Sequence, residues 1–489
     1  MSQNKFLAID QGTTSSRAIV FNDKGEMLET SQKELRLYYP QNGWVEQNSE
    51  EIWQDTYACI KNVLKKHPDC TAFGITNQRE TTILWDKRNG EPVYNAIVWQ
   101  DRRTAEYCAE LKFRGHERMV TDKTGLLLDP YFSATKIKWI LDHVEGVKTL
   151  AEEGHLAFGT VDCFLIWKLT NGVRHVTDAT NASRTMLFNI RTGEWDPELL
   201  DLFGIPKSIL PDVLDNVAEF GTTTETLFAK QYQILGVAGD QQAALIGQAC
   251  FEKGMVKSTY GTGCFALMNI GCDYKKSENK LLTSIGYRFK GETTYVLEGS
   301  IFIAGAAIQF LRDNMGFFSN VSESEALANS VEGTHGVYFI PAFTGLGAPY
   351  WNPDARGAIL GLTRDTTRAH ITRAALEAQA YQTRDLMSAF EKDTGLEPSV
   401  LRVDGGLVAN HFMVQFLSDI LETPVDIPTC RETTALGAAY LAALGSGVFT
   451  STEDIRKNWV CANHFDPEMD HQDVSSRYAG WKNAIGKIG

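Results

Sequence analysis

The run Asp10–Arg17 combines the residue types that hold phosphate groups. It consists of Asp-Gln-Gly-Thr-Thr-Ser-Ser-Arg and lies between two strand-like segments, Lys5–Asp10 and Arg17–Phe21. Glycine permits a tight turn and a close backbone approach, while successive backbone N–H groups, several hydroxyls and one arginine attract anionic oxygens. Asp10, at the end of a strand, could hold Mg²⁺ through water. The same composition also suits an ordinary polar turn, so this run alone leaves both interpretations open.

Two further glycine-rich turns lie in the second half of the chain. Tyr260–Gly263 (Tyr-Gly-Thr-Gly) separates two strand-like segments, and Asp404–Gly406 (Asp-Gly-Gly) precedes a predicted helix over Ala409–Leu421. The second turn offers backbone groups to the sugar and phosphates of a nucleotide, although each motif is also common in plain turns. Together with the first hairpin, they fit two facing phosphate loops and a nucleoside clamp in a cleft between two domains.

One carboxylate is placed where a predicted strand runs into a helix. Asp240 follows the strand Ile234–Ala238 and Gly239, which is the usual position of a ligand in α/β proteins. A carboxylate there could accept a proton from a substrate hydroxyl. Aspartate is also a favoured helix N-cap, and for Asp240 by itself we favour the cap.

Adjacent side chains of opposite charge lie on a predicted loop at Arg79-Glu80, and the next loop carries Trp99-Gln100-Asp101. A guanidinium and a carboxylate side by side suit the neighbouring hydroxyls of a polyol, while an indole packs against its carbons. The alternatives are a surface ion pair of little energetic value and a tryptophan that belongs to the core.

The elements that would position these residues alternate between strand and helix, which indicates an α/β fold. Apolar residues at spacings of three and four predict a helix over about 49–64, after a cap at Asn48 or Ser49. A longer helix is predicted over Arg368–Lys392 and ends at Gly395. Each half of the chain opens with a Gly-Thr hairpin, so the pattern indicates a duplicated architecture with its seam near residues 245–255.

Composition and missing motifs narrow the function classes. The 489 residues are 43% hydrophobic and 22% charged, with a net charge of −14, which is typical of a globular chain of two or three domains. No basic block indicates nucleic-acid binding, and no apolar run reaches the roughly 20 residues of a membrane-spanning helix. Nine scattered cysteines without a C-x-x-C pair favour a reducing compartment, so we expect a cytoplasmic protein.

The sequence has no Walker P-loop, no G-x-G-x-x-G fingerprint and no H-R-D loop, which excludes Walker-type NTPases, Rossmann dehydrogenases and protein kinases.

Beyond these patterns, nearly the whole chain resembles the FGGY family of carbohydrate kinases, and most closely its members that act on glycerol. The segments that carry the resemblance are Asp10–Arg17, Gly74–Thr82, Tyr94–Thr104, Tyr131–His143, Thr180–Asn189, Gly239–Ala244, Thr259–Phe265, Pro341–Gly361, Gly357–Glu377 and Val403–Asn410. The resemblance implies an α/β fold of two ribonuclease-H-like domains of the actin-type ATPase class, with the active site in the cleft between them. Residues 1–248 would form the N-terminal domain, with the glycerol site and the phosphate hairpin, and residues 249–489 the C-terminal, nucleotide-binding domain. The implied activity is the ATP-dependent phosphorylation of glycerol to sn-glycerol 3-phosphate, with Mg²⁺, in a homodimer or homotetramer.

The resemblance also assigns roles to individual residues. The residues that would bind glycerol or flank its carbons are Arg79, Glu80, Trp99, Tyr131, Asp240, Gln241 and Phe265. The residues that would contact the nucleotide are Thr13, Thr14, Ser15, Arg17, Thr262, Gly305, Gln309, Gly406 and Asn410. Asp240 would act as the catalytic base, and Asp10 would help to place Mg²⁺. The loop Glu219–Gln233 departs from the family pattern in two ways. It lacks the Gly-rich stretch through which some relatives bind the inhibitor fructose bisphosphate, and it lacks the histidine on which some Gram-positive relatives are phosphorylated, so both modes of regulation are in doubt here.

Two other functions stay open on the sequence. One is a pentulose, hexulose or gluconate kinase of the same family, against which the Arg79-Glu80 pair and Trp99 favour a short polyol. The other is a non-enzymatic ATP switch or filament protein of the actin and heat-shock-chaperone type. The phosphate hairpins alone would allow it, but the substrate-type loop at Arg79-Glu80 disfavours it.

Overall fold

The structure is a computed structural model and describes residues 4–352 and 354–488. The strands of the first half are β1 (Lys5–Gln11), β2 (Ser15–Asn22), β3 (Met27–Glu34), β4 (Glu46–Gln47), β5 (Ala72–Asn77), β6 (Ile83–Asp86), β7 (Ala96–Ile97), β8 (Leu156–Gly159), β9 (Val176–Asp178), β10 (Phe188–Asn189), β11 (Glu194–Trp195), β12 (Asp212–Leu214), β13 (Val217–Thr222) and β14 (Gln233–Gly239). The strands of the second half are β15 (Val256–Tyr260), β16 (Cys264–Gly271), β17 (Leu282–Phe289), β18 (Glu292–Ile301), β19 (Tyr338–Ile340), β20 (Ala358–Leu360), β21 (Leu401–Asp404), β22 (Val425–Pro428) and β23 (Cys461–Phe465).

Each half of the chain builds one large mixed sheet. The first has the order β13-β14-β5-β1-β2-β3 and the second the order β17-β18-β16-β15-β21-β22-β23. In the first sheet β1 pairs antiparallel with β2 and parallel with β5. In the second, β15 pairs antiparallel with β16 and parallel with β21. The same hairpin-and-crossover plan therefore occurs twice, which confirms the predicted duplicated α/β architecture. The short strands form the pairs β4–β7, β6–β8, β9–β12, β10–β11 and β19–β20.

Helices surround the sheets. Those of the first half are α1 (Ser49–Lys66), α2 (Ala105–Phe113), α3 (Glu117–Thr124), α4 (Ser133–His143), α5 (Val147–Glu152), α6 (Val161–Leu169), α7 (Ala179–Ala182), α8 (Pro197–Phe203) and α9 (Asp240–Gly247). Those of the second half are α10 (Gly305–Asp313), α11 (Glu323–Asn329), α12 (Arg368–Thr394), α13 (His411–Leu421), α14 (Thr433–Gly445), α15 (Thr452–Asn458) and α16 (His471–Ile485). Within the described ranges, no helix is both long and apolar enough to cross a lipid bilayer.

The predicted helix boundaries are largely confirmed. Asn48 caps α1, because its side-chain oxygen accepts hydrogen bonds from the Glu50 N–H at 2.9 Å and the Glu51 N–H at 3.3 Å. Helix α12 ends at Thr394, two residues beyond the predicted Lys392, and Gly395 caps it with a φ of 70°, the left-handed conformation that glycine adopts without a Cβ clash. Helix α13 begins two residues later than predicted, because a 3₁₀ turn over 406–409 comes first.

Helix α14 belongs to the second half by sequence but packs on the first sheet. At the crossing the two backbones touch, and the contact residues are glycines. A Cβ on Gly74 of β5 would lie 2.0 Å from the Ala438 carbonyl oxygen, and one on Gly437 would lie 1.8 Å from the carbonyl oxygen of Ala243 in α9. Only a residue without a side chain fits either position. The two halves therefore share a closely packed seam, next to the strand ends that carry the candidate site.

Candidate active site

The loop that carries Arg79-Glu80 is buried between β5 and β6. Arg79 is 3% exposed and Glu80 is 1% exposed. The Glu80 carbonyl accepts hydrogen bonds from Ser133 Oγ at 3.1 Å and from Lys136 Nζ at 3.4 Å, both on α4. The alternative of a surface ion pair is therefore wrong for these two residues. Charges buried this deeply need partners, and the surrounding elements supply them.

Arg79 joins the first half of the chain to the second. Its Nη1 and Nη2 donate to the two carboxylate oxygens of Glu298 on β18 at 2.7 and 2.9 Å. Its Nε faces Asp240 Oδ1 at 3.0 Å. The planar guanidinium matches a carboxylate with two parallel bonds, which fixes its plane as well as its position. Glu298 thus holds Arg79 in the orientation that brings Nε to Asp240.

A second buried arginine completes the charge network. Arg184 Nε lies 2.5 Å from Glu80 Oε1, and its Nη2 lies 3.1 Å from Glu298 Oε1. Its guanidinium also lies over the ring of Tyr131, 5.5 Å from the centroid. Burial would raise the pKa of Glu298, but Arg184 and Arg79 outweigh it and lower that pKa to about 2. Glu298 is therefore ionised throughout the physiological pH range.

Asp240 is the first residue of α9, and the N-cap position belongs to Gly239. The interpretation of Asp240 as the cap is therefore wrong, although its Oδ1 accepts the Gln241 N–H at 2.6 Å. Its side chain is 32% exposed, so one side of the carboxylate is open. Burial raises the pKa of Asp240, against the opposing charges of Arg79 and Lys257. A carboxylate with a raised pKa is a better proton acceptor than an ordinary one.

The next residue, Gln241, faces the second sheet. Its Oε1 accepts a hydrogen bond from Lys257 Nζ on β15, and the same ammonium donates to Thr259 Oγ1 at 3.1 Å. Lys257 is fully buried. Lys257 is therefore a residue of the site, and sequence inspection did not predict it.

Three aromatic side chains line the site beside these charges. The ring of Trp99 lies 5.5 Å from that of Tyr131 and 6.3 Å from that of Phe265, in both cases edge to face. All three are half-buried, so Trp99 is not a core residue. The Trp99 Nε1–H donates to Thr13 Oγ1 at 2.9 Å. The aromatic group therefore contacts the first glycine hairpin directly.

A glutamine network ties that hairpin to the loop of Arg79. Gln78 Nε2 donates to Gln11 Oε1 at 3.1 Å and to Gln47 Oε1 at 2.8 Å, and Gln47 Nε2 donates to the Thr13 carbonyl at 2.6 Å. The hairpin and the loop are thus held in one fixed arrangement.

Asp10 and Arg17 form an ion pair at the base of the hairpin, and Arg17 Nη1 also reaches Glu432 Oε2 at 2.6 Å. Burial raises the pKa of Asp10, against the lowering effect of Arg17. Above this pair, Thr14 is exposed and Ser15 is half-buried. Both hydroxyls are available to a ligand.

The glycine turns of the second half pack against one another. The Gly305 N–H, at the start of α10, donates to the Gly261 carbonyl at 2.9 Å. Gly405 has a φ of 95°, and a Cβ there would lie 2.4 Å from the Tyr260 carbonyl oxygen. A Cβ on Gly406 would meet no atom within 4 Å. The backbone thus forms a cradle with open space above Gly406.

The predicted nucleotide residues of this region differ in accessibility. Thr262, Gln309 and Gly406 are exposed. Asn410 is buried and already engaged, because its Oδ1 caps α13 by accepting the Met413 N–H at 3.0 Å and its Nδ2 donates to Ser324 Oγ at 3.2 Å. Its proposed contact with a nucleotide stays a prediction, as do those of the other nucleotide residues.

The structure thus gathers the predicted glycerol residues in one cluster. It places the predicted nucleotide residues in the first hairpin, in the turn between β15 and β16, in α10 and in the segment that follows β21. Sequence inspection missed Arg184, Lys257 and Glu298. Two of these carried a signal. Lys257 is the one charge in the strand-like run Val256–Tyr260, and Glu298 is the one charge after the first residue of the run Glu292–Ile301.

Comparison with known proteins identifies the family of the chain. Residues 5–247 match the N-terminal domain of the FGGY family of carbohydrate kinases, and residues 256–446 match its C-terminal domain. A glycerol kinase of Nitrosomonas eutropha is 60% identical over 100% of this chain and 98% of its own. The crystal structure of Plasmodium falciparum glycerol kinase with ADP superimposes with a TM-score of 0.95 at 35% identity, covering 99% of this chain and 98% of that one. A gluconate kinase of Lactobacillus acidophilus shares the fold at 21% identity, with a TM-score of 0.89 over 100% of both chains. With both domain models matched in order and two sheets built on one plan, this chain belongs to the FGGY family of carbohydrate kinases.

Proposed function

We propose that this chain transfers the γ-phosphoryl group of ATP to glycerol and releases sn-glycerol 3-phosphate and ADP. The observation that carries the proposal is the contact of the partly open Asp240 carboxylate with the buried Arg79 guanidinium at 3.0 Å, beside the Trp99, Tyr131 and Phe265 rings. A short polyol needs charged hydrogen-bond partners for its hydroxyls and an apolar wall for its carbons. The site offers both, since the guanidinium of Arg184 in the same charge network lies 5.5 Å from the centroid of the Tyr131 ring.

In the proposed mechanism Asp240 is the general base. As the terminal hydroxyl oxygen of glycerol forms its bond to the γ-phosphorus, Asp240 accepts the hydroxyl proton. The bond between the γ-phosphorus and the bridging oxygen breaks, and ADP carries that electron pair away. Arg79 and Glu80 hold the other hydroxyls, so that the attacking oxygen is aligned. Positioning of this kind supplies most of the catalysis in phosphoryl transfer.

The hairpin 10–17 and the glycine turns of the second half are assigned to ATP. The open space above Gly406 lets a ligand approach the backbone closely, and the hydroxyls of Thr13, Thr14 and Ser15 suit phosphate oxygens. The remaining assigned contacts are those of Arg17, Thr262, Gly305, Gln309 and Asn410.

Asp10 is the residue that we assign to Mg²⁺. Its Oδ2 is paired with Arg17, whereas its Oδ1 has no hydrogen-bond partner in the described part of the chain. No group of three or more ligating side chains occurs within the described residues. One carboxylate suits Mg²⁺, which keeps several waters and takes its other ligands from phosphates. When bound, Mg²⁺ would neutralise charge on the phosphates during transfer.

The fold does not by itself select glycerol, because a gluconate kinase shares it. The Arg79-Glu80 pair beside Trp99 favours a three-carbon polyol over a longer sugar. The glycerol kinase relative at 60% identity supports the same choice. The cytoplasmic location and the homodimer or homotetramer stay predictions.

A coupled assay of ADP release tests the proposal. ATP and Mg²⁺ are supplied with glycerol, dihydroxyacetone, xylulose, gluconate or no acceptor, and we expect the highest kcat/KM with glycerol. A higher value with xylulose or gluconate would move the chain to another branch of the family. Slow ATP turnover that does not respond to any acceptor would instead support the ATP-switch alternative.

A further inference from the structure

Lys257 is a buried cation for which the proposed mechanism has no role. It lies in β15, opposite Leu267 of β16 and Arg402 of β21. Its side chain points to α9 of the first half, where Nζ donates to Gln241 Oε1. An ammonium group is costly to bury unless strong partners surround it. Because Lys257 is buried at this cost and contacts a residue of the acceptor site, we expect it to have a function there.

The contact determines how the Gln241 amide is oriented. A lysine ammonium has donors only, so the Gln241 atom that it meets must be the carbonyl oxygen. The Nε2 group has no hydrogen-bond partner among the described residues and is not one of the buried unpartnered atoms. It is therefore an accessible donor. A hydroxyl at this point of the site must accept a hydrogen bond from Gln241.

The same ammonium is part of the charge balance around Asp240. The charged groups that face Asp240 are Arg79, Lys257 and Glu298. Those that face Lys257 are Asp404, Asp240 and Glu298, which attract it, and Arg79, which repels it. Lys257 and Glu298 come from the second sheet, whereas Asp240 and Arg79 come from the first half. Part of the electrostatic field at Asp240 thus comes from charged residues of the second sheet.

We propose that Lys257 is a positioning residue of the acceptor site. It orients the Gln241 amide with its NH₂ group toward the acceptor hydroxyl, and it places a fixed positive charge beside Asp240. This inference rests on the proposed function. It adds that the acceptor site is complete only while β15 and α9 are in contact.

The principal test is Lys257→Met, which keeps the length of the side chain and removes the charge. We expect glycerol affinity, measured by calorimetry without ATP, to fall at least about tenfold, because the amide loses its fixed orientation. Lys257 lowers the pKa of Asp240, so we expect the acid limb of kcat to move about one unit or more to higher pH. ADP affinity should stay unchanged. The matched control is Lys253→Met at an exposed position just before β15, which should alter none of these quantities.

Two variants separate this role from a merely structural one. Lys257→Arg keeps the charge and should keep the acid limb within a few tenths of a pH unit of its original place. Gln241→Glu keeps a partner for Lys257, and so the fold, but removes the NH₂ donor. Its glycerol affinity should also fall at least about tenfold.

Wild-type glycerol affinity in Gln241→Glu, or a wild-type acid limb in a folded Lys257→Met, would overturn the inference. Failure of the unmodified protein to phosphorylate glycerol would instead overturn the proposed function. The two failures are therefore distinguishable.

Discussion

The acceptor end of the site consists of buried charged side chains, whereas the nucleotide end consists of exposed glycine-rich turns. At the acceptor end the charged side chains are buried and pair without any ligand: Glu298 pairs with both Arg79 and Arg184, and Glu80 pairs with Arg184. At the nucleotide end, Thr262 and Gly406 are exposed, and glycine backbones define the shape. Ion pairs fix the geometry of the acceptor end, and the backbone conformation of the glycine turns fixes that of the nucleotide end. Substitutions at the acceptor end should therefore change chemistry and stability, whereas those at the nucleotide end should act sterically and locally.

The largest effect is expected at the proposed base. Asp240→Asn keeps the size of the side chain but removes the proton acceptor, so kcat should fall roughly 10²–10⁴-fold. Glycerol affinity should change far less, because Arg79 and Gln241 remain in place. Steady-state kinetics and calorimetry measure the two quantities, with Asp212→Asn at an exposed position as the control. Near-normal turnover would remove Asp240 from the role of base.

The next largest effect is expected on stability, at Glu298. Glu298→Gln leaves two buried guanidinium groups without their shared carboxylate, which should lower the free energy of unfolding by about 3–5 kcal/mol at pH 7. Urea denaturation measures this, and Glu292→Gln, exposed at the start of the same strand, is the matched control. An unchanged unfolding free energy would show that the network is not what holds the two halves together here.

The same residue gives a pH dependence of defined sign. The pKa of Glu298 is about 2 in the folded protein and near 4.5 when unperturbed, so the unfolded chain binds more protons between these values. The stabilisation from Glu298 is complete above about pH 4.5 and is lost as the pH falls toward 2. In urea denaturation at a series of pH values, the Glu298→Gln variant should therefore lose less stability than the unmodified protein between about pH 4.5 and pH 2, while the two should show the same slope above pH 4.5.

A steric effect of intermediate size is expected at the nucleotide end. Gly406→Ala adds a methyl group where no atom lies within 4 Å, so the protein should fold normally. The methyl group would occupy space that the nucleotide needs, and the KM for ATP should rise by about tenfold while the KM for glycerol stays constant. Gly333→Ala, at another glycine with open space around it, is the control. Unchanged ATP kinetics would exclude Gly406 as a nucleotide contact.

The smallest effect on kinetics is expected at the hydrogen bond between Trp99 and Thr13, which joins the acceptor end to the nucleotide end. Trp99→Phe keeps the aromatic wall but loses the hydrogen bond to Thr13, and kcat/KM for glycerol should fall about three- to tenfold. Thr13→Val removes the other partner of the same bond. If that bond is the cause, the double variant should be no worse than the more affected single one. Fully additive losses would mean that the two residues act separately.

Much of the fold was predictable because its signals are local. The hairpin at Asp10–Arg17 and the helix after Asn48 both follow from turn chemistry and apolar spacing, and both lie where the sequence predicts. The start of α13 was misplaced because Asn410 is its cap, and the preceding four residues form a 3₁₀ turn that the apolar pattern does not reveal. Boundaries thus depend on capping contacts more than on periodicity.

The acceptor site was only partly predictable, for a different reason. Arg79 and Glu80 are adjacent in the sequence, but the carboxylate that fixes Arg79 lies 219 residues away. Spacing along the chain carries no information about such a partner. A glutamate in the interior of a strand, such as Glu298 in β18, indicates only that a cation is needed to pair with it if the strand is buried. The surface-ion-pair alternative for Arg79 arose because burial of that loop depends on α4 and β18, which are both distant in sequence.

The glycine contacts of α14 have a consequence for dissecting the molecule. The backbone of this helix contacts those of β5 and α9. One face of the first sheet is therefore covered by a helix from the second half of the chain. A fragment ending near residue 250 would expose the apolar surface on which Ala438 and Leu441 now lie. We expect such a fragment to aggregate when expressed alone and to dissolve only when the complementary fragment is produced with it. We therefore expect the two halves of the chain to fold as a single cooperative unit.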